Sequence, residues 1–349
     1  MRSLALLLLL LAPAASDAAP VLGADADPGW TRVLDLRGTW AFHIGDDPAR
    51  AAADYDHSGW EEIFVPSPWE DEGFWGYDGI AWYRRTFRLS ERQLGKPLYL
   101  RLGRVDDTDQ VWINGRFLGS TGRFPDTSGG YETAYFTPRV YRIPPGFLRP
   151  GANVVAIRVF DESLDGGILD GPVGLFTHDA EPPLALDLSG TWRFRPGQGR
   201  SLLTAATDTW ARLTVPGKWE PQGFPTLNNF AWYRHSFTLP DRLRGEPLVF
   251  VLGRVDDLHE VYLNGERLGG TPNIEERYVS GKEWRELRAY PVPSGLLETK
   301  NDLAVRVFDG GYEGGIYDGP VGLMTASDFE RWHSGESWLG KLRSLFGLN

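Results

Sequence analysis

The chain has 349 residues, 42% of them hydrophobic and 24% charged, a globular balance with room for about two ordinary domains. Cysteine is absent, which excludes disulfides, thiolate nucleophiles and Cys-ligated zinc. A net charge of −11 disfavours nucleic acid or an anionic membrane as the main partner of the folded body.

Arg2 is followed by an apolar run over residues 4–11 and by small residues up to Ala19. This order reads as a secretory signal peptide over 1–19. The run is too short to span a bilayer, which takes about 20 residues. No later stretch is long and apolar enough to cross one. With no cysteine for lipid attachment, the expected location is the periplasm or the cell exterior, without a transmembrane segment in the mature chain.

The rest of the chain repeats itself. Asp35-Leu36-Arg37-Gly38-Thr39-Trp40 returns as Asp187-Leu188-Ser189-Gly190-Thr191-Trp192. Val65-Pro66 and Trp69-Glu70 return as Val215-Pro216 and Trp219-Glu220, and Ala81-Trp82-Tyr83-Arg84 as Ala231-Trp232-Tyr233-Arg234. Residues 102–107 recur at 252–257, and 166–175 at 314–323 with one substitution, Tyr317 for Leu169. A unit this long is a duplicated domain, since solenoid units run about 20–50 residues.

Inside each copy the pattern is β. Runs such as 98–102 and 154–160 are short, rich in β-branched and aromatic residues, and bounded by Gly, Pro or Asp. Asn114-Gly115 and Asn264-Gly265 suit the type I′ hairpin turn, whose two central residues need positive φ. The expected architecture is all-β, two tandem sandwiches or jelly rolls at 30–178 and 187–326. Glu181-Pro182-Pro183 lies in a linker over 179–186. Residues 327–349 form a tail in which Trp338, Leu339, Leu342, Leu345 and Phe346 share one helical face, suited to folding back on a sandwich or docking elsewhere.

The succession Trp-Tyr-Arg-x-x-Phe, Leu-Gly-x-Val-Asp-Asp, Asn-Gly-x-x-Leu-Gly and Arg-Val-Phe-Asp resembles the sugar-binding jelly roll of glycoside hydrolase family 2. Its nearest flavour is the β-galactosidase type also found in sialate O-acetylesterase-like proteins. Residues 82–87, 102–107, 114–119 and 153–161 carry it, and again 232–237, 252–257, 264–269 and 301–309. The resemblance implies galactose-binding-like sandwiches. Catalytic relatives add a barrel of about 250 residues, whereas only 324–349 follow the second copy here. The expectation is therefore the accessory domain without a catalytic one.

Paired acids are the natural place to look for chemistry. Glycoside hydrolysis needs two carboxyls about 5–10 Å apart. Asp106 and Asp107 would point to opposite faces of an extended strand, so they read, like Asp256 and Asp257, as strand-end acids that satisfy amides or pair with Arg104 and Arg158. Asp161 and Asp309 each follow the last long strand and open a Gly-rich loop, and the resemblance implies that the Asp there can reach a sugar. Asp161-x-Ser163-x-Asp165-Gly166 matches the start of a calcium loop, but Pro172 stands where the closing Glu belongs, so no cofactor is expected beyond a structural Ca²⁺. The six histidines are scattered, and neither a zinc-helix motif nor a nucleophile elbow occurs.

Sugar rings stack on aromatic faces while polar groups take their hydroxyls. The loops after Trp69-Glu70 and Trp219-Glu220 differ between copies, so they are the expected readers. Candidates in the first copy are Trp69, Glu70, Trp75, Tyr77, Asp161 and Asp165. In the second they are Trp219, Glu220, Asn228, Asn229, Asp309 and Glu313. The first copy, richer in aromatic residues there, is the expected glycan reader. The function expected is an exported, non-catalytic binder of oligosaccharide or polysaccharide. Alternatives are a module positioning a separately encoded hydrolase, and a glycosidase or esterase acting on the sandwich itself.

Overall fold

A computed structural model describes residues 27–126, 130–272, 274–279 and 281–334. The signal-peptide reading and the apolar face at 338–346 lie outside them. The protein is two β-sandwiches in tandem. In the first, strands Glu61–Val65, Gly38–Ile44, Gly79–Leu89, Gly151–Asp161, Thr108–Ile113 and Arg116–Thr121 form one sheet in that order. Trp30–Asp35, Gly167–His178, Leu98–Asp106 and Arg139–Ile143 form the other. The second sandwich uses the same order for its larger sheet: Ala211–Val215, Gly190–Pro196, Phe230–Thr238, Lys300–Phe308, Leu258–Leu263 and Glu266–Gly270.

Alternation along the strands sends one set of side chains inward from each sheet. Trp40, Phe42, Tyr83, Leu100, Val111 and Ile157 build the first core. Trp192, Phe194, Tyr233, Phe250, Val261 and Val305 build the second. Asn114 and Asn264 sit at φ 51° in the hairpins, as the type I′ turn requires. The peptides Val65–Pro66, Asp106–Asp107, Val215–Pro216 and Asp256–Asp257 are cis.

The segment between the sandwiches is tied to both. Arg142 of the first donates to Glu181 at 2.6 Å and to Asp187 of the second at 2.8 Å. The Thr214 hydroxyl donates to the Phe117 carbonyl at 2.6 Å. Among the described residues one α-helix occurs, Ala326–Ser334, whose Phe329 and Trp332 pack on Val249, Val251 and Met324. No helix there is long and apolar enough to cross a membrane.

Candidate functional site

The residues picked from sequence divide by burial. Trp69 and Trp219 are wholly inside, so neither offers a face to a ligand. The cause is the glycine loop above each: a Cβ on Gly166 would sit 2.1 Å from the Trp69 ring, and one on Gly314 1.6 Å from that of Trp219. Glu70 and Glu220 are also interior and cap these loops, accepting from the Gly166 N–H at 3.0 Å and the Gly314 N–H at 2.9 Å. Burial pushes Glu220 up to about 8 and raises Glu70 as well. Tyr77 is half-buried, its hydroxyl donating to Ile80 O and accepting from Gly45 N. Asp161 and Asp309 are fully buried, which keeps them from a sugar on the surface. The exposed candidates are Trp75, Asp165, Asn228 and Asn229, with Glu313 half-buried.

The acid pair satisfies strand-end amides as expected, through Asp107 and Asp257, but it neither alternates along a strand nor pairs with the expected arginines. Its strand ends at Asp106, and Asp107 falls in the break before Thr108–Ile113, outside the alternation. Carboxylate oxygens of Asp106, Asp107 and Asp161 all lie within 4.8 Å of one another. The expected arginine partners are engaged elsewhere: Arg104 with Asp170, and Arg158 with Asp46 and Gln110. Asp107 accepts from the Thr133 hydroxyl at 2.6 Å and the Glu162 N–H at 3.0 Å. Burial and the adjacent Asp107 push Asp106 up to about 8. Burial would raise Asp107 too, but hydrogen bonds from Thr133 and Tyr131 outweigh it and hold it below the ordinary carboxylate value. Burial, together with the charges of Asp107 and Asp78, pushes Asp161 up to about 7. The calcium-loop half-match folds otherwise: the Asp161 side chain accepts from the Ser163 N–H at 3.2 Å, and Asp165 points out as an exposed residue.

The second sandwich carries the open site. A cleft of about 1020 Å³ is lined by Asp256, Asp257, Lys218 and Glu313, with Tyr278, Trp284, Tyr312 and Tyr317 around them. Tyr278 and Tyr312 are 73% and 74% exposed, and Trp284 38%. Arg285 lies over the Trp284 ring at 4.6 Å, and the Tyr317 hydroxyl donates to the Trp284 carbonyl at 2.7 Å, so one contact covers the indole and the other fixes its backbone. Lys218 donates to Glu313, and Arg123 of the first sandwich approaches the other oxygen of Glu313 at 4.0 Å. Glu132, also from the first sandwich, completes the lining. Another recess, of about 860 Å³, is lined by Leu239, Leu243, Val292 and Leu297 without any aromatic ring.

Of the sequence candidates only Glu313 lines this cleft; Tyr278, Trp284 and Tyr312 were missed. One signal was present. Tyr317 is the single substitution in the repeated loop motif, and Tyr312 stands where the first copy has Leu164. Divergence of the repeat toward aromatic residues coincides with this cleft of the second copy.

Comparison with known proteins agrees with this architecture. Residues 50–165 match the family described as the beta-galactosidase second all-beta domain. The chain is similar to a putative β-glucuronidase of Formosa agariphila, 31% identical over 137 residues, covering 36% of this chain and 12% of that protein. It is also similar to a β-galactosidase of Priestia megaterium, 25% identical over 154 residues, covering 36% of this chain and 14% of the other. A solved β-glucuronidase of glycoside hydrolase family 2 overlaps 81% of this chain and 27% of its own, at 16% identity and a TM-score of 0.37. The matched region therefore spans about an eighth of the curated relatives' length. Over residues 50–165, then, the chain is similar to an all-β domain of the β-galactosidase type.

Proposed function

We propose that this is an exported, non-catalytic carbohydrate-binding protein, with its ligand site in the cleft of the second sandwich. The observation that carries this is the meeting of three exposed aromatic residues, Tyr278, Trp284 and Tyr312, with Asp256, Asp257, Glu313 and Lys218 in one cleft. Rings of this kind take the apolar face of a sugar, and the charged groups around them take its hydroxyls. Relatives named β-galactosidase and β-glucuronidase support a glycoside as ligand. The charged, apolar and small-residue order of residues 2–19 supports export.

The acid pairs give hydrolysis no support. Asp106 and Asp107 are neighbours in the chain with carboxylate oxygens within 4.8 Å, short of the about 5–10 Å that flanks a glycosidic bond. Calorimetry of the full chain against galactosides, glucuronides and plant-wall oligosaccharides tests the binding reading. Binding that Trp284→Ala weakens by about two- to tenfold upholds it. The absence of heat with every glycan, or turnover of nitrophenyl glycosides, overturns it. Co-purification with a separate glycoside hydrolase, in place of glycan binding, would favour the positioning role.

A further inference from the structure

Two positions that correspond in the repeat differ by one atom type. Gly79 pairs with Asp161 in the first sandwich, and Asn229 accepts from the Asp309 N–H in the second, so Asp78 corresponds to Asn228. In the second sandwich the Asn228 amide, turned to satisfy its neighbours, donates to Asp309 Oδ2 at 3.2 Å. In the first, that donor is replaced by a carboxylate. Asp161 is 0% exposed, and its Oδ2 is buried with no hydrogen-bond partner. Such an oxygen costs folding free energy unless something positive meets it.

Among the described residues no cation fills that role. Arg139, whose charge reaches Asp106, commits its N–H groups to Asp109 and to the carbonyls of Ala134, Thr137 and Asp107. Around the orphan oxygen stand Asp106 and Asp107, all three acids having an oxygen within 4.8 Å of the others, and the charge of Asp78, an exposed residue, also reaches Asp161. Oxygens on opposite sides of a calcium ion are about 4.6–5.2 Å apart, twice the usual bond length, so this set matches its reach. A magnesium ion would need a tighter set, at about 2.0–2.1 Å per bond.

We propose that the first sandwich binds a hard divalent cation of the calcium class through Asp106, Asp107 and Asp161, with Asp78 adding its charge. The site is separate from the glycan cleft and differs from the calcium-loop residues suggested by sequence. It anchors the loop after Gly151–Asp161 to the break between Leu98–Asp106 and Thr108–Ile113. The second sandwich, with Asn228, does the same with an amide and no ion.

The test is calcium titration of the full chain after dialysis against chelator, read by calorimetry and by thermal melting. Wild type should bind calcium with a Kd of about 10⁻⁴–10⁻³ M, the range of extracellular modules, and melt at higher temperature with calcium than with magnesium. Asp161→Asn and Asp78→Asn should each weaken binding by at least about tenfold. Asp78→Asn should also melt above wild type in chelator, because it supplies the donor that Asn228 supplies in the other sandwich. Should Asp161→Asn fail to fold, the exposed Asp78 carries the test alone. Wild type that neither binds nor responds to millimolar calcium overturns the proposal, as does binding undiminished in Asp78→Asn.

Discussion

Arg139 and Asp109 form an ion pair at 2.6 Å with both side chains fully buried. The Tyr141 hydroxyl also donates to Asp109. In the second sandwich the matching residues are Arg288, His259 and Tyr290. There His259 bonds to the Tyr290 hydroxyl, while Arg288 turns outward to Glu286. Burial, with the charges of Arg288 and Arg267, pushes His259 down to about 3, so this core is held by a neutral imidazole.

Removing one partner of the buried pair leaves the other charged and alone in the interior. Asp109→Ala should therefore destabilise the first sandwich by about 3–5 kcal/mol. Urea unfolding of the full chain checks this; a loss under about 1 kcal/mol would show that Arg139 finds another partner.

Gly166 has no space for a side chain against Trp69. Gly166→Ala should cost about 1–3 kcal/mol, the usual penalty of overpacking a rigid core ring. The neighbouring Asp165→Ala, at an exposed residue of the same loop, should stay within about 0.5 kcal/mol of wild type. Equal melting temperatures for the two variants would refute the packing account.

Glu220 has a folded value of about 8 against an ordinary 4.5, raised chiefly by burial. Such a group takes up protons on folding. Its stabilising contribution is complete below about 4.5 and is lost as the pH rises through about 8. Wild type should accordingly weaken between pH 5 and 8, and Glu220→Gln should flatten that slope while keeping the bond from Gly314. Denaturant midpoints across that window settle the matter.

Trp284 is held at the cleft by Arg285 and Tyr317. Trp284→Ala should weaken oligosaccharide binding by about 0.5–1.5 kcal/mol, roughly two- to tenfold in Kd. Trp75→Ala, 80% exposed in the loop of the first sandwich, should leave affinity unchanged. The reverse ranking in calorimetry would return the reading site to the first copy.

The fold was legible because strand alternation and turn residues are local signals, and the Asn114-Gly115 and Asn264-Gly265 hairpins show it directly. The site was less so. Trp69 and Trp219 look like stacking residues until Gly166 and Gly314, nearly a hundred residues away, close over them. Asp106 and Asp107 look like alternating strand residues until the strand stops between them. Exposure of Tyr278 and Trp284 depends on how loops meet across two sandwiches, which no local pattern records. What sequence could supply was the comparison of one copy with the other, at Tyr317 against Leu169 and Asn228 against Asp78.

The buried trios have a consequence for the gene. A chain with two long similar halves invites recombination between them, and a crossover between the codons for residues 109 and 139 would set Asp109 opposite Arg288 and Tyr290, the same residue types that it meets now. Exchange that carries Asp109, Arg139 and Tyr141 together keeps a charged core intact, and exchange that carries His259 with Tyr290 keeps a neutral one. Only the position held by Asp109 in one half and His259 in the other decides whether the core is charged, because Arg and Tyr stand at the other two positions in both. The two interiors are thus interchangeable at two of their three buried polar positions, and a single position in each half separates an ionic core from a neutral one.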